Sequence, residues 1–412
     1  MNNMSFLDSL EIRSAEEREA ALIARLPRQI AHAKAHCAYF AEALAEVDAV
    51  AVNSRAALAR LPVLRKHQLL ELQQVRPPFG GLAATPLGSL GRVFSSPGPI
   101  YDPEGTIPDW WRFGRSLYAA GFRAGELVYN TFSYHFTPAG FMFDGAARRL
   151  GCCVFPAGVG QTEMQARTIA DLKPAGYTGT PSFLKIIIEK ADEMGVDISC
   201  LKKAVVSGEA FFPAQKQLAA SRGIAAFQAY GTADVGMVAY ETEAREGLVL
   251  DEDLILEIVR PGTKDPVAEG EVGEVVITSF NADYPLIRFG TGDLSAVLPG
   301  VSPCGRTNVR IKGWMGRADQ TTKVKGMFVH PEQVAAVMQR HPEIGKARLV
   351  VTNLDGNDLM TLHCEATADA GLGKVVAESL RDVTKLRGEV AFAAPGSLAN
   401  DGKVIDDARK YD

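Results

Sequence analysis

The chain has 412 residues, 47% of them hydrophobic and 23% charged, with a formal net charge of −5. That length exceeds what a single hydrophobic core supports, which excludes one small module and predicts two domains, one of them large. The mildly acidic balance gives no electrostatic pull toward nucleic acid or an anionic membrane, so small molecules are the expected partners, with no nucleic acid and no membrane.

The N-terminal stretch MNNMSFLDSLEIRSAEEREA carries acids early and lacks an apolar core of signal-peptide length, and no later segment approaches a membrane span. A cytoplasmic protein is expected. Residues 15 to 60 repeat apolar side chains at three- and four-residue intervals and predict two helices, with Ser14 and Glu17 spaced as a capping box. His32 and His36 stand one helical turn apart there, with no third ligand nearby. The six cysteines lack Cys-x-x-Cys spacing, which suits a reducing compartment. Adjacent Cys152 and Cys153 fall in an apolar, strand-like run and are expected to be buried structural thiols.

From residue 88 to 280, short apolar runs (ELVYNTF, GCCVFPA, AGYTGT, KKAVVSG) alternate with helical stretches (PSFLKIIIEKADEMG, PAQKQLAASRG). The alternation predicts an α/β sheet flanked by helices, with function on the loops at the strand ends. Residues 247 to 300 turn β-rich and hinge on glycine turns, an antiparallel appendage in which the acidic DEDL reads as a turn. Beyond residue 317 the order becomes helix, strand, strand, helix, strand, a compact α+β domain. The expected division is a large domain over residues 1–316 and a small mobile one over 317–412.

Four patterns carry chemistry, in chain order. VVSGEAFFP contains Gly208, Glu209 and Ala210, and FQAYGTADVGMV contains Tyr230, Gly231, Thr232 and Asp234. Each follows an apolar strand, so each presents a loop at a sheet edge, one able to cover an adenine and the other to place an acid by phosphates. YPLIRFGTGDLSAV then sets Asp293 after a Gly-x-Gly turn, followed by CGRTNVRIKGWMGRADQTTKVKGMFVHPEQV; GSLANDGKVIDDARKYD ends the chain. Together these resemble the adenylate-forming enzymes, in their phenylacetate-CoA ligase branch, over almost the whole chain.

The resemblance implies a fold and a set of roles. The fold is α/β: a large N-terminal adenylate-forming domain with flanked β-sheets and a β-rich appendage, and a small C-terminal α+β domain. Gly208, Glu209 and Ala210 line the adenine pocket, Tyr230 packs on the base beside Gly231 and Thr232, and Asp234 stands where relatives carry a glutamate that helps hold Mg²⁺. Aspartate keeps the hard oxygen ligand but is one methylene shorter. Asp293 accepts hydrogen bonds from the ribose hydroxyls, Arg317 touches the ribose, Asp319 is the hinge, and Gly326 lets backbone approach the pantetheine arm of CoA. Lys403 neutralises charge growing during adenylation.

VFSSPGPIYDP, residues 93–103, occupies the place of a Ser/Thr/Gly-rich phosphate loop ending in lysine. Ser95 and Ser96 match its start, but Pro97 and Pro99 each delete a backbone donor, and the usual threonine, glycine and lysine are missing. This degenerate phosphate loop is expected to slow adenylation more than it weakens adenosine binding. NTFSYHFTPAGFMFDGA supplies Tyr134, His135 and Phe136 to the acid pocket, while Phe141 and Phe143 read equally as core. The implied activity is an AMP-forming ligase that activates an aromatic or small carboxylic acid with ATP and Mg²⁺ and transfers it to CoA, in a protein whose relatives are commonly homodimers. Two alternatives stay open: a nucleotide- or acyl-CoA-binding protein that lost catalysis, and acyl transfer to a carrier protein.

Overall fold

The computed structural model describes residues 6–96, 99–318, 320–324, 327–354, 357–367 and 369–409. The chain divides into two compact units, the first comprising Met1–Leu256, Ile277–Phe289 and Leu298–Trp314, the second Glu257–Val276, Gly290–Val297 and Met315–Asp412.

In the first unit the lead-in is one long helix, Ala15–His36, followed by the short helices Ala38–Ala43 and Arg55–Leu58. Its start is fixed as the spacing predicts: the Ser14 hydroxyl accepts from the Glu17 N–H at 3.1 Å and the Glu17 carboxylate accepts from the Ser14 N–H at 3.0 Å. Leu22, Leu26, Ile30 and Ala33 form its buried stripe.

The main sheet has nine strands. Five of them, Cys153–Pro156, Leu127–Asn130, Gly176–Gly179, Lys203–Val206 and Ala225–Thr232, lie side by side in that order and run parallel. Helices Ala139–Arg149, Thr162–Leu172, Pro181–Met194 and Pro213–Ser221 connect them. Such crossovers bury both faces of a parallel sheet, and every residue of Gly176–Gly179 is buried accordingly. Beyond the parallel set the sheet continues antiparallel through Gly236–Tyr240, Leu248–Leu250 and Arg310–Ile311.

Two expectations change at the edges of this sheet. Cys152 is buried, but Cys153 is exposed, because it opens the strand at the sheet's outer end, where one flank has no neighbour. The acidic DEDL is a turn, yet Asp251 and Glu252 are buried. Arg112 pairs with Asp251 at 2.9 Å, and Arg18 and Arg13 pair with Glu252 at 2.8 and 2.9 Å, so Glu252 ties this turn to the start of the N-terminal helix and Asp251 ties it to Arg112.

The second unit contains a four-stranded sheet ordered Glu389–Ala393, Asn357–Glu365, Ala347–Leu354 and Ile405–Asp407. The central pair is antiparallel and both outer strands are parallel to their neighbours. Helices Pro331–Arg340 and Ala370–Thr384 supply Val334, Val337, Val376 and Leu380 to a core shared with Leu349, Val351, Leu362 and Cys364. The strand Ile405–Asp407 had no counterpart in the sequence pattern, since three residues are too few to show a period. Among the described residues no helix is long and apolar enough to cross a membrane.

Candidate active site

The C-terminal ends of the parallel strands carry the first group of singled-out residues. After Lys203–Val206 comes Gly208 at φ +85°, a conformation that glycine reaches without strain. Gly208 and Glu209 are exposed and Ala210 is half-buried. The Glu209 carboxylate accepts from the Ser182 N–H at 2.6 Å and so caps the start of the neighbouring helix Pro181–Met194, where negative charge is favoured.

Tyr230, only 8% exposed, lies within the strand Ala225–Thr232 and not on a loop after it, and so do Gly231 and Thr232, because this strand runs on to pair with Gly236–Tyr240. A register shift separates Tyr230 from Gly231, and the turn follows at residues 233–235. A side chain at Gly231 would place its Cβ 2.7 Å from the Gly236 carbonyl oxygen and 2.7 Å from the Phe113 ring, so only glycine fits. The Thr232 hydroxyl accepts from the Val235 N–H at 3.0 Å. Residues that the sequence pattern had passed over pin this loop from outside. The Trp111 indole donates to the Ala233 carbonyl at 3.3 Å, and Arg112 donates to the carbonyls of Val235 and Met237 at 2.7 and 3.2 Å.

Asp234 has its side chain fully enclosed, with Oδ2 2.6 Å from the Nζ of Lys66. Its Oδ1, both carboxyl oxygens of Asp102 and the hydroxyl of Tyr284 are buried and take no hydrogen bond from a fixed donor, while the Asp102 carboxyl lies within hydrogen-bonding reach of Asp234 and Ser96. Burial first, and then the negative charge of Asp234, push the Asp102 carboxyl well above the usual carboxylate range, while the Lys66 ammonium pulls the other way. Burial and the charge of Asp234 likewise raise the Tyr284 phenol.

Ser95 and Ser96 end the strand Arg92–Ser96, which forms a hairpin with Ile100–Glu104. Pro97 and Gly98 lie outside the described residues. The buried Ser96 hydroxyl is turned back onto the Ile100 carbonyl at 3.4 Å, and both backbone groups of Tyr101 are taken by the Gln73 amide at 2.8 Å. Neither end of the turn therefore offers these groups outward. The Ser95 N–H donates to the Phe136 carbonyl at 2.8 Å, which joins the hairpin to the aromatic segment.

In that segment Tyr134 is half-buried, its hydroxyl accepting from Asn130 at 2.8 Å and donating to Asp144 at 3.2 Å. His135 is exposed, and Phe136, at φ +61°, is 81% exposed. Phe143 is core, stacked on Phe132 with ring centroids 4.6 Å apart, whereas Phe141 lies under the Arg92 guanidinium at 4.3 Å.

The second unit gathers a separate group. Arg317 pairs with Asp293 at 2.8 Å, and the two residues form a β-bridge. The Ala318 N–H donates to the Gly292 carbonyl at 2.8 Å. Gly292 is at φ +76°, and a Cβ there would lie 2.7 Å from the Arg317 guanidinium, so this glycine makes room for the pair. Lys403 is in the same unit, its ammonium 2.7 Å from Asp406. Asp319 and Gly326 lie outside the described residues. Among the described residues no three His, Cys, Asp or Glu side chains gather as a metal cluster, and His32 instead places Nε2 2.8 Å from the Ala282 carbonyl.

No family model matches the chain. It is 30% identical over 389 residues to the phenylacetate-coenzyme A ligase of Aromatoleum evansii, covering 89% of this chain and 86% of that protein. It is 31% identical over 372 residues to the phenylacetate-coenzyme A ligase of Thermus thermophilus, covering 86% and 82%. This chain belongs to the phenylacetate-coenzyme A ligase family. Among solved structures, 2-hydroxyisobutyryl-CoA ligase in an open conformation, in complex with 2-HIB-AMP and CoA, superposes with a TM-score of 0.72 at 26% identity over 95% of this chain and 91% of that one.

As a phenylacetate-coenzyme A ligase family member, the chain thus carries its motif residues in two groups. One is the row of strand-end loops in the first unit, with Lys66, Asp102, Trp111 and Arg112 added by the structure. The other is Asp293, Arg317 and the Lys403 loop in the second. No sequence signal pointed to Asp102 or Lys66, since a lone acid and a lone lysine carry no spacing.

Proposed function

We propose that this protein is an AMP-forming acid–thiol ligase that activates an aromatic or small carboxylic acid with ATP and transfers the acyl group to CoA. The observation that carries the reading is the Asp293–Arg317 pair, seated on a side-chain-free Gly292. It sets a carboxylate, able to accept from ribose hydroxyls, against a guanidinium in a chain 30% identical to a phenylacetate-coenzyme A ligase over most of its length. That a structural neighbour was captured with an acyl-adenylate and CoA together supports CoA, rather than a carrier protein, as the acceptor.

A carboxylate oxygen of the acid attacks the α-phosphorus of ATP, the bond to the β-phosphate breaks, and pyrophosphate leaves. The CoA sulfur then attacks the acyl carbon, AMP departs with the bonding pair, and the thiol proton passes to solvent. Gly208, Glu209, Ala210 and Tyr230 hold the adenine, with Gly231 and Thr232 shaping the loop. Asp293 accepts from the ribose hydroxyls and Arg317 donates to the same sugar. Lys403 offers a point charge to the carboxylate and α-phosphate oxygens as negative charge builds between them. Between the two steps the small domain, residues 317–412, rotates about Asp319, and Gly326 then borders the pantetheine arm. Tyr134, His135 and Phe136 border the acid.

For Mg²⁺ the fit rests on one atom. Oδ1 of Asp234 takes no hydrogen bond from a fixed donor, with the Asp102 carboxyl close to the same carboxylate, whereas Oδ2 is paired with Lys66. Asp234 would therefore offer the ion one hard oxygen ligand at most. When bound, the ion supplies neutralisation of the triphosphate. The inward-turned Ser96 hydroxyl and the occupied backbone of Tyr101 support a degenerate phosphate loop. We further propose a cytoplasmic homodimer, the free state of all six cysteines being consistent with a reducing compartment.

The test is ATP/pyrophosphate exchange across a panel of aryl and short-chain acids, with Lys403→Ala as control. Exchange with at least one aryl acid is expected, falling roughly hundred-fold in Lys403→Ala. Silence across the panel with intact calorimetric ATP binding would favour the non-catalytic alternative, and failure to bind ATP or AMP would remove the reading.

A further inference from the structure

Lys403 is held by its backbone, and its tip makes a solvated ion pair. Its N–H donates to Asp401 at 3.0 Å and its carbonyl accepts from Arg348 at 3.2 Å, while Arg348 also pairs with Asp401 and donates to the Ala399 carbonyl at 3.1 Å. The ammonium lies on Asp406 with the lysine side chain 48% exposed, a solvated pair of the weak, exchangeable kind.

On the opposite side of the loop a single side chain makes three short hydrogen bonds. The Gln320 amide nitrogen donates to the Gly402 carbonyl at 2.9 Å, and its oxygen accepts from the Val404 and Ile405 N–H groups at 2.6 and 2.9 Å. These groups flank Lys403 on both sides, so one planar amide does for this loop what a neighbouring strand would do. Gly402, at φ +74°, lets the loop sit close: a Cβ there would lie 2.8 Å from Val272 and 3.0 Å from Leu294, the residue after Asp293.

We propose that Gln320 is a positioning residue for Lys403, fixing the backbone of the lysine loop to the chain just beyond Arg317 so that only the side chain has to move to reach its target. This rests on the role given to Lys403 above. Holding the backbone leaves the lysine four side-chain torsions to search instead of a whole loop, and effects of this size on catalytic placement reach one to two orders of magnitude in rate. The same amide nitrogen lies 3.4 Å from the Arg317 carbonyl, so the residue beside the ribose carboxylate and the lysine loop share one anchor.

The experiment compares Gln320→Leu, Gln320→Glu, Lys403→Ala and the double variant Gln320→Leu/Lys403→Ala in both half-reactions, using phenylacetate and 2-hydroxyisobutyrate as probes. Gln320→Leu should lower the turnover of ATP/pyrophosphate exchange roughly ten- to hundred-fold with KM for ATP within about two-fold. It should leave CoA thioester formation from prepared phenylacetyl-AMP within about two-fold, and add nothing to the loss in Lys403→Ala. Gln320→Glu keeps the two accepted bonds and should recover part of the rate. Backbone amide exchange at Val404 and Ile405 should quicken in Gln320→Leu whatever acid is turned over. An equal loss in both half-reactions, additivity with Lys403→Ala, or unchanged protection of those amides overturns the proposal. If Lys403→Ala leaves exchange intact, the role of the lysine fails and the proposal with it; if Lys403→Ala is impaired and Gln320→Leu is not, only the positioning role fails.

Discussion

The ammonium of Lys66 lies 2.6 Å from Oδ2 of Asp234, with the carboxylate wholly enclosed and the lysine side chain 20% exposed. The turn that follows the strand Ala225–Thr232 is therefore anchored from within by a charge pair whose partners stand 168 residues apart. Asp102 completes the group as a buried acid whose own ionisation is opposed by burial and by the charge of Asp234.

Removing one partner of such a pair leaves a buried charge without compensation. Lys66→Met should lose on the order of 3–5 kcal/mol of unfolding free energy, and Lys66→Met/Asp234→Asn should recover much of it. Urea denaturation measures both. A double variant as unstable as the single one would show that the pair does not anchor the loop.

Asp109 gives a pH dependence. Burial pushes its carboxyl up to about 7, against the opposing bond from the Gly114 N–H and the charge of Arg112. The unfolded chain releases this proton near the ordinary value of about 4. The folded form thus binds more protons between the two, so the contribution is present below the lower value and lost as pH rises through about 7. Asp109→Asn keeps an oxygen for Gly114 and suits the backbone at φ +53°. It should raise stability at pH 8 by on the order of 2–4 kcal/mol and change little at pH 4, in melts recorded at both. The same gain at both values would rule out this cause.

Two glycines near the strand ends should answer differently to alanine. At Gly231 the added methyl meets the Gly236 carbonyl oxygen and the Phe113 ring, so a loss of roughly 2–4 kcal/mol is expected. At Gly208 the space is open to 3.8 Å and only the φ of +85° opposes a side chain, so the loss should be about 1–2 kcal/mol. Thermal unfolding of the two variants checks the order.

Asp293→Asn retains size and removes charge. If the carboxylate binds the ribose, calorimetric affinity for AMP should fall about ten-fold or more while the fold is retained. Unchanged affinity in a folded variant would separate Asp293 from the nucleotide.

The α/β alternation, the Ser14–Glu17 capping box, the order of elements in the C-terminal α+β region and the placing of the Gly208 loop at a strand end were legible in the sequence, whereas Tyr230, expected on such a loop, lies within the strand Ala225–Thr232. These are local properties: periodicity, capping and glycine-bearing turns act within a few residues of chain. The Asp293–Arg317 pairing was legible only as two motifs expected to meet one sugar, and the strand Ile405–Asp407 was too short to announce itself.

Which groups end up facing each other depended on the fold. Cys153 is exposed because its strand is an edge, a fact of sheet order that its apolar neighbours do not encode. Asp234 meets Lys66, Asp102 loses its solvent, and Gln320 closes on a loop more than eighty positions away. Burial and pairing are set by packing between segments distant in sequence, and a carboxylate or an amide acquires its charge state and its partners only once that packing has removed water. Composition and pattern determined what kind of protein this is; the packed structure decided which of its polar groups are held, which are stripped of water and which are left to act.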